Sequence, residues 1–269
     1  VNAVVVAVHL LLWALVAVAI GYAILCSTLT LAQRSLIYFP QKGFDGDPDS
    51  LLLLARPDAQ VAISVRPMKG ARALIYFGGN AEDVAQNLEG LAATFPTSAL
   101  YLMHYRGYGR SSGRPTERAL QADALALFDH VRSAHPEVVV LGRSLGSGLA
   151  VFLASQRPCS RVILVTPYDS LLALAARRYP YIPVRWLLWD RFESWRYASK
   201  ITVPTFLIEA EHDDIIPRES SRRLLGRFQS GIADSVVVEG AGHNSILDHP
   251  DYRAALLSQD HAIEWGINR

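Results

Sequence analysis

Val138-Val-Val-Leu-Gly-Arg-Ser-Leu-Gly-Ser-Gly148 is the stretch whose reading decides the fold. Val138 to Leu141 is a short, unbroken apolar run, mostly β-branched, which is the pattern of a strand buried on both faces. Gly142-Arg-Ser144-Leu-Gly146 follows without a gap, and Leu149, Ala150, Val151, Phe152, Leu153 and Ala154 then read as a buried helix. Strand, Gly-x-Ser-x-Gly, helix is the setting of a nucleophile elbow. The reason is steric: a serine pushed out at a very tight turn has a strained backbone, and Gly142 and Gly146 leave room for neighbouring chain. The helix N-terminus behind Ser144 also aims free N–H groups at an oxyanion forming there. For the pentapeptide alone a tightly packed glycine turn is the competing reading; the flanking strand and helix favour the nucleophile.

Working outward, strand patterns recur at Val61–Val65, Ala73–Phe77, Ala99–Met103, Val162–Val165, Thr205–Ile208 and Val236–Val238. Between the later ones, Glu82–Thr94, Thr116–Arg132 and Arg218–Gln229 read as helices, and Pro250–Trp265 as the last. Thr116 is suited to an N-cap, with Leu120, Ala124, Leu127, Phe128 and Val131 following at helical spacing. Such alternation predicts an α/β fold with a mostly parallel central sheet covered by helices on both faces. Ligands in such sheets bind beyond the C-terminal strand ends. Ser35–Pro40 reads as a further short strand ended by proline, and Gln41–Ser50 as a turn-rich surface loop.

From Ala3 to about Leu29 the chain is almost wholly apolar, roughly 27 residues against the ~20 needed to cross a bilayer as a helix. A cleaved signal peptide would carry Lys or Arg at its start and a shorter apolar core. A buried core helix would seldom be apolar on every face. Residues 1–30 are therefore expected to be a single-pass transmembrane anchor and 31–269 the catalytic domain. Arg34 and Lys42 follow the span and no Lys or Arg precedes it, so the positive-inside rule favours a cytoplasmic domain; a periplasmic or extracellular one is the open alternative. The 26 Lys+Arg nearly balance 25 Asp+Glu, which offers no clustered basic face for nucleic acid. Two cysteines, Cys26 and Cys159, are too few for a disulfide framework.

A serine nucleophile needs a base, and the base an orienting acid. Of eight histidines, His243 follows the last strand directly, in the flexible loop Glu239-Gly-Ala-Gly-His243-Asn. His104 also follows a strand and reads as a loop-packing residue. For the acid, Asp213 in Glu209-Ala-Glu-His-Asp213-Asp-Ile-Ile-Pro217 is favoured over Asp169, which also tops a strand. Asp214 and Glu211 then read as solvated charges. The order Ser144, Asp213, His243 is that of α/β-hydrolases. An oxyanion hole needs two converging N–H donors. One is Leu145, next after the nucleophile; the other is Asn80, in Gly78-Gly79-Asn80-Ala81 after the Ala73–Phe77 strand, where Asn80 also reads as a helix N-cap. Gly79 permits close backbone approach to substrate.

Phe77-Gly-Gly-Asn-Ala81, His104-Tyr-Arg-Gly-Tyr-Gly-Arg-Ser-Ser-Gly113, Gly142-Arg-Ser-Leu-Gly146, Asp213 with Ile216-Pro217, and Gly242-His243 together resemble the α/β-hydrolase superfamily. More narrowly, the chain is similar to its membrane-anchored branch, the α/β-hydrolase domain-containing proteins 13 and 17 and bacterial relatives. The likeness runs from about Leu36 to the C-terminus. Relatives often carry His-Gly-Asn-Ala where this chain has Gly78-Gly79-Asn80-Ala81; the backbone donor survives that change, and the histidine side chain does not. The resemblance implies an α/β-hydrolase fold and hydrolysis of esters, thioesters or amides, without fixing the acyl group. In that fold an insertion after the Val162–Val165 strand roofs the site, so 169–200, rich in Leu, Trp and Tyr, is expected to be a short helical cap. Its Tyr181 and Trp186 are the expected substrate-binding residues, lining a pocket for an apolar, lipid-like acyl chain, and its arginines beside tryptophans suit a headgroup layer. Arg106 is expected to anchor its loop through backbone carbonyls.

The expected activity is thus cleavage of a carboxylic ester or thioester by a Ser144–His243–Asp213 triad through an acyl-enzyme, with no cofactor. A metal-dependent hydrolase using His212, Asp213, Asp214, His243 and Asp248 is disfavoured, because no tight His-x-x-x-His pair is present. A non-catalytic membrane adaptor on the same scaffold is disfavoured by the intact Ser, Asp and His set.

Overall fold

The computed structural model describes residues 2–41 and 50–264, with side chains to residue 260. It opens with α1, Asn2–Ile37, a helix long and apolar enough to cross a membrane, most of whose large apolar side chains are exposed and whose buried residue is Gln33. The Ser35–Pro40 stretch is not a strand. Tyr38 N–H donates to the Arg34 carbonyl at 2.8 Å and Ser35 Oγ to that of Ala32 at 2.7 Å. Propagating an existing helix adds one hydrogen bond per residue, which overrides the β-propensity of so short a run. The expected loop between Gln41 and Ser50 and the end of the last helix at Trp265 lie outside the described residues.

A hairpin follows: β1, Leu51–Arg56, turns at Pro57-Asp58 into β2, Ala59–Arg66. β1 was not expected, because four consecutive leucines show no alternation and leucine has little strand preference. Then come β3 (Arg72–Phe77), a 3₁₀ turn at Val84–Asn87, α2 (Leu88–Thr94), β4 (Ala99–Met103), α3 (Glu117–Ala134), β5 (Glu137–Arg143) and α4 (Leu145–Ala154). Beyond them lie β6 (Arg161–Val165), α5 (Leu171–Arg178), α6 (Val184–Leu187), α7 (Trp195–Ala198), β7 (Thr205–His212), α8 (Arg218–Leu225), β8 (Ala233–Gly242) and α9 (Pro250–Glu264). Thr116 caps α3, its hydroxyl accepting from Ala119 N–H at 3.1 Å, and the residues expected at helical spacing are buried.

The eight strands form one sheet in the order β1-β2-β4-β3-β5-β6-β7-β8, antiparallel at the β1–β2 and β2–β4 pairs and parallel elsewhere. β5 lies between β3 and β6, and both faces are covered, as its continuous apolar run requires. Ile75, Phe77, Val138 and Val140 face α3 and α4; Leu74, Tyr76, Val139 and Leu141 face α2 and α9. This is the α/β-hydrolase fold, with every parallel strand pointing its C-terminal end at one rim. Residues of α5 and α6 line a cavity that also takes in Ser144 at that rim.

Candidate active site

Ser144 joins β5 to α4 with φ 50° and ψ −118°, a left-handed backbone that a side-chain-bearing residue adopts only under constraint. The glycines on either side are required by contact. A Cβ on Gly142 would strike the Gly146 carbonyl, and one on Gly146 would strike the Phe77 carbonyl. These close approaches hold the turn against β3 and leave Ser144 Oγ over the strand ends.

Three distant residues meet there. His243 Nε2 lies 3.0 Å from Ser144 Oγ, and His243 Nδ1 lies 2.8 Å from Asp213 Oδ2. The other carboxylate oxygen, Oδ1, accepts from the N–H groups of Ile215 at 3.0 Å and Ile216 at 2.6 Å. A carboxylate only accepts, so Nδ1 carries the imidazole proton and Nε2 is left to accept from the serine hydroxyl. The histidine and aspartate side chains are both buried. Asp169, the rival acid, is held elsewhere: its carboxylate accepts from Ser220 Oγ and from Arg223 on α8. His104 packs in its loop, 2.8 Å from Ser64 Oγ, and burial pushes its imidazole down to about 4.

Leu145 is the first residue of α4, so its N–H has no acceptor within that helix. The Gly78–Asn80 loop is clamped opposite it. The Gly78 carbonyl accepts from Gly146 N–H at 3.1 Å and from Tyr105 OH at 2.6 Å. The Asn80 carbonyl accepts from Phe39 N–H at 3.1 Å and from Tyr108 OH. Asn80 does not cap a helix; the 3₁₀ turn is capped by Asp83, and Asn80 Nδ2 donates to the Ile37 carbonyl at 2.9 Å. The end of α1 competes successfully for that amide. Gly79 lines the cavity, and a Cβ on it would come within 3.8 Å of that of Ser144.

Two residues that the sequence reading passed over tie these parts together. Glu82 accepts four hydrogen bonds: Gly79 N–H at 2.8 Å and Arg143 Nη1 at 2.7 Å on one oxygen, Tyr76 OH at 2.5 Å and Asn87 Nδ2 at 2.6 Å on the other. Arg143, the variable position of the pentapeptide, donates through Nη2 to the His243 carbonyl and to Asn244 Oδ1, both at 3.2 Å. Loop Gly78–Asn80 and loop His243–Asn244 are thereby joined through one buried ion pair. Nothing in the sequence marks Glu82, which stands beside a second acid, Asp83. Arg106 anchors its turn through carboxylates instead of carbonyls: it pairs with Asp123 at 2.7 and 3.0 Å and with Asp58 at 2.7 Å. A fully buried carboxylate is a stronger partner for guanidinium than a neutral carbonyl.

The site opens into a cavity of about 960 Å³. Trp186 and Tyr181 are not among its lining residues. Trp186 is 84% exposed, because Val184 and Leu187 turn the opposite face of α6 inward, and Tyr181, before that helix, is 88% exposed. The apolar wall comes from Leu171, Leu174, Tyr179, Ile182, Leu187 and Leu188, and from α1. Among the described residues no group of three His, Cys, Asp or Glu side chains is placed to hold a metal ion.

No family model matches the chain. It is 33% identical over 232 residues to an uncharacterized protein of Mycobacterium tuberculosis, covering 79% of this chain and 80% of that one. It is 31% identical over 235 residues to human alpha/beta hydrolase domain-containing protein 17C, covering 84% of this chain and 69% of that one. Alpha/beta hydrolase domain-containing protein 10 from mouse shares the fold, with a TM-score of 0.65 at 19% identity, over 81% of this chain and 100% of that one. The chain belongs to the α/β-hydrolase family, among relatives of domain-containing protein 17, and is a hydrolase.

Proposed function

We propose that the protein is a membrane-anchored serine hydrolase that cleaves carboxylic ester or thioester bonds. The observation that carries this reading is the hydrogen-bonded line from Asp213 through His243 to Ser144 Oγ at the edge of an apolar cavity. His243 Nε2 takes the hydroxyl proton as Ser144 attacks the acyl carbonyl, and Asp213 holds the imidazole in the tautomer that can do so. Negative charge developing on the carbonyl oxygen is met by the N–H groups of Leu145 and Asn80; one such donor is worth about 3–4 kcal/mol. His243 returns the proton to the leaving group, and water then hydrolyses the acyl-enzyme by the same route. None of these steps requires a cofactor.

The anchor reading gains support from where α1 ends. A removable leader would take part of the cavity with it, whereas Gln33 and Arg34 bind the cap. Gln33 Nε2 donates to the Leu187 carbonyl at 3.1 Å, its Oε1 accepts from Trp189 N–H at 2.7 Å, and Arg34 Nε pairs with Asp190 at 3.1 Å. The exposed Tyr181 and Trp186, beside Arg178 and Arg185, suit a headgroup layer. Ser144→Ala is expected to abolish both labelling by a fluorophosphonate probe and turnover of p-nitrophenyl acetate. A variant that still labels and turns over would refute the nucleophile.

A further inference from the structure

An anchor that only tethers an enzyme ends in a linker. α1 ends instead as part of the site. Its last residue, Ile37, is hydrogen-bonded through its carbonyl to Asn80, and the chain two residues on donates from Phe39 to the Asn80 carbonyl. Leu29, Gln33, Leu36 and Ile37 all line the cavity. Their spacing of four, three and one places them on one face of the helix. Leu31, off that face and not among the lining residues, is 78% exposed, against 52% for Leu36. The lining face spans roughly 12 Å of helix, at 1.5 Å per residue, from the Asn80 loop back toward the apolar segment. Farther back still, Tyr22 OH donates to the Tyr181 carbonyl at 2.7 Å, so cap and helix run side by side along this length. Gln33 is spent on locking that seam and Thr30 Oγ1 donates to the Cys26 carbonyl, leaving Leu29, Leu36 and Ile37 as the apolar side chains of α1 free to touch a ligand.

We propose that this face of α1 is the acyl-selecting wall of the enzyme, with Leu29 and Leu36 the residues that set how long an acyl chain the site accepts. The proposal rests on the acyl-hydrolase reading and adds to it that the membrane helix is a specificity element. A chain whose carbonyl sits at Ser144 and Asn80 extends along α1 toward the segment that enters the bilayer. Short acyl groups end before they reach Leu36 or Leu29; longer ones lie against both.

The test uses the full chain in detergent micelles, with kcat/KM measured for p-nitrophenyl acetate, octanoate and laurate. Leu36→Trp and Leu29→Trp, which thicken the wall, are expected to lower the laurate-to-acetate ratio tenfold or more. Leu31→Trp, on the outward face, is expected to keep the parent ratio. Leu36→Ala, which widens the wall and spares the fold if the tryptophan variants misfold, is expected to move the optimum toward longer chains. A ratio within twofold of the parent in the folded Leu36 and Leu29 variants, or an equal fall in Leu31→Trp, overturns the proposal. Absence of acetate turnover and of fluorophosphonate labelling in the unmutated chain refutes the acyl-hydrolase reading itself, a distinct failure.

Discussion

Glu82→Gln isolates what the buried carboxylate does, because it changes charge and leaves shape. The carboxylate has about four lone-pair positions and all four are taken. In the variant one oxygen becomes an NH₂ that must face a donor. Tyr76 OH can rotate to accept and Asn87 can turn its amide, whereas Gly79 N–H and Arg143 can only donate. The amide nitrogen therefore settles toward Tyr76 and Asn87, and the remaining oxygen keeps Gly79 and Arg143 without its charge. A hydrogen bond to a charged acceptor is worth about 1 kcal/mol more than one to a neutral acceptor, so two such bonds lose about 2 kcal/mol. Arg143, its side chain as buried as its partner's, then lacks a counter-charge, which brings the expected loss to about 2–3 kcal/mol. For a domain of this size that is a fall of about 5–10 °C in Tm. Because Gly79 precedes the proposed oxyanion donor and Arg143 holds the His243 carbonyl, kcat for p-nitrophenyl acetate should drop at least tenfold. Arg143→Met should cost a similar amount, and the double variant less than the two losses combined. Thermal unfolding in detergent and initial rates measure both effects. A Glu82→Gln variant within 1 °C of the parent and with unchanged kcat would refute the argument that this charge holds the two loops.

Two further expectations follow from the same geometry. In Asp213→Asn the side-chain oxygen must stay with the Ile215 and Ile216 N–H groups, so the amide nitrogen faces Nδ1 and forces the imidazole proton onto Nε2; kcat should fall by about 10⁴ with KM little changed, and a loss under tenfold would discount the orienting role. His104 is buried neutral with its imidazole pushed down to about 4, while in the unfolded chain it takes up a proton near 6.5; the unfolded state binds more protons between those values, so stability falls as pH drops from about 6.5 to 4. His104→Gln should remove about 2–3 kcal/mol of the loss between pH 7 and pH 4.5, read from Tm at the two pH values, and an unchanged slope would exclude His104 as a source.

Much of the molecule was legible along the chain. The Val138–Leu141 run marks a central strand because only a strand covered on both faces buries so continuous an apolar segment, and Gly142 and Gly146 mark the turn because any side chain there meets backbone. That Ser144, Asp213 and His243 meet was readable for a topological reason: parallel strands deliver the residues after them to one rim. β1 was hidden by its leucine run, and the end of α1 by a tyrosine and a phenylalanine that imitate a strand.

What the sequence by itself determined is therefore local: the strand order of chemistry-bearing residues, the tight turn at Ser144 and the apolar helix at the start. The choice of partners was tertiary. Whether Asp213 or Asp169 meets the histidine depends on which carboxylate α8 captures, and which cap residues face the cavity depends on the turn of α6, so Leu187 lines it and Trp186 does not. The binding of Ile37 to Asn80 depends on α1 running along the cap. Hydrogen-bond donors and acceptors far apart in sequence find one another only after the sheet brings its strand ends together, and spacing along a chain carries no trace of that competition.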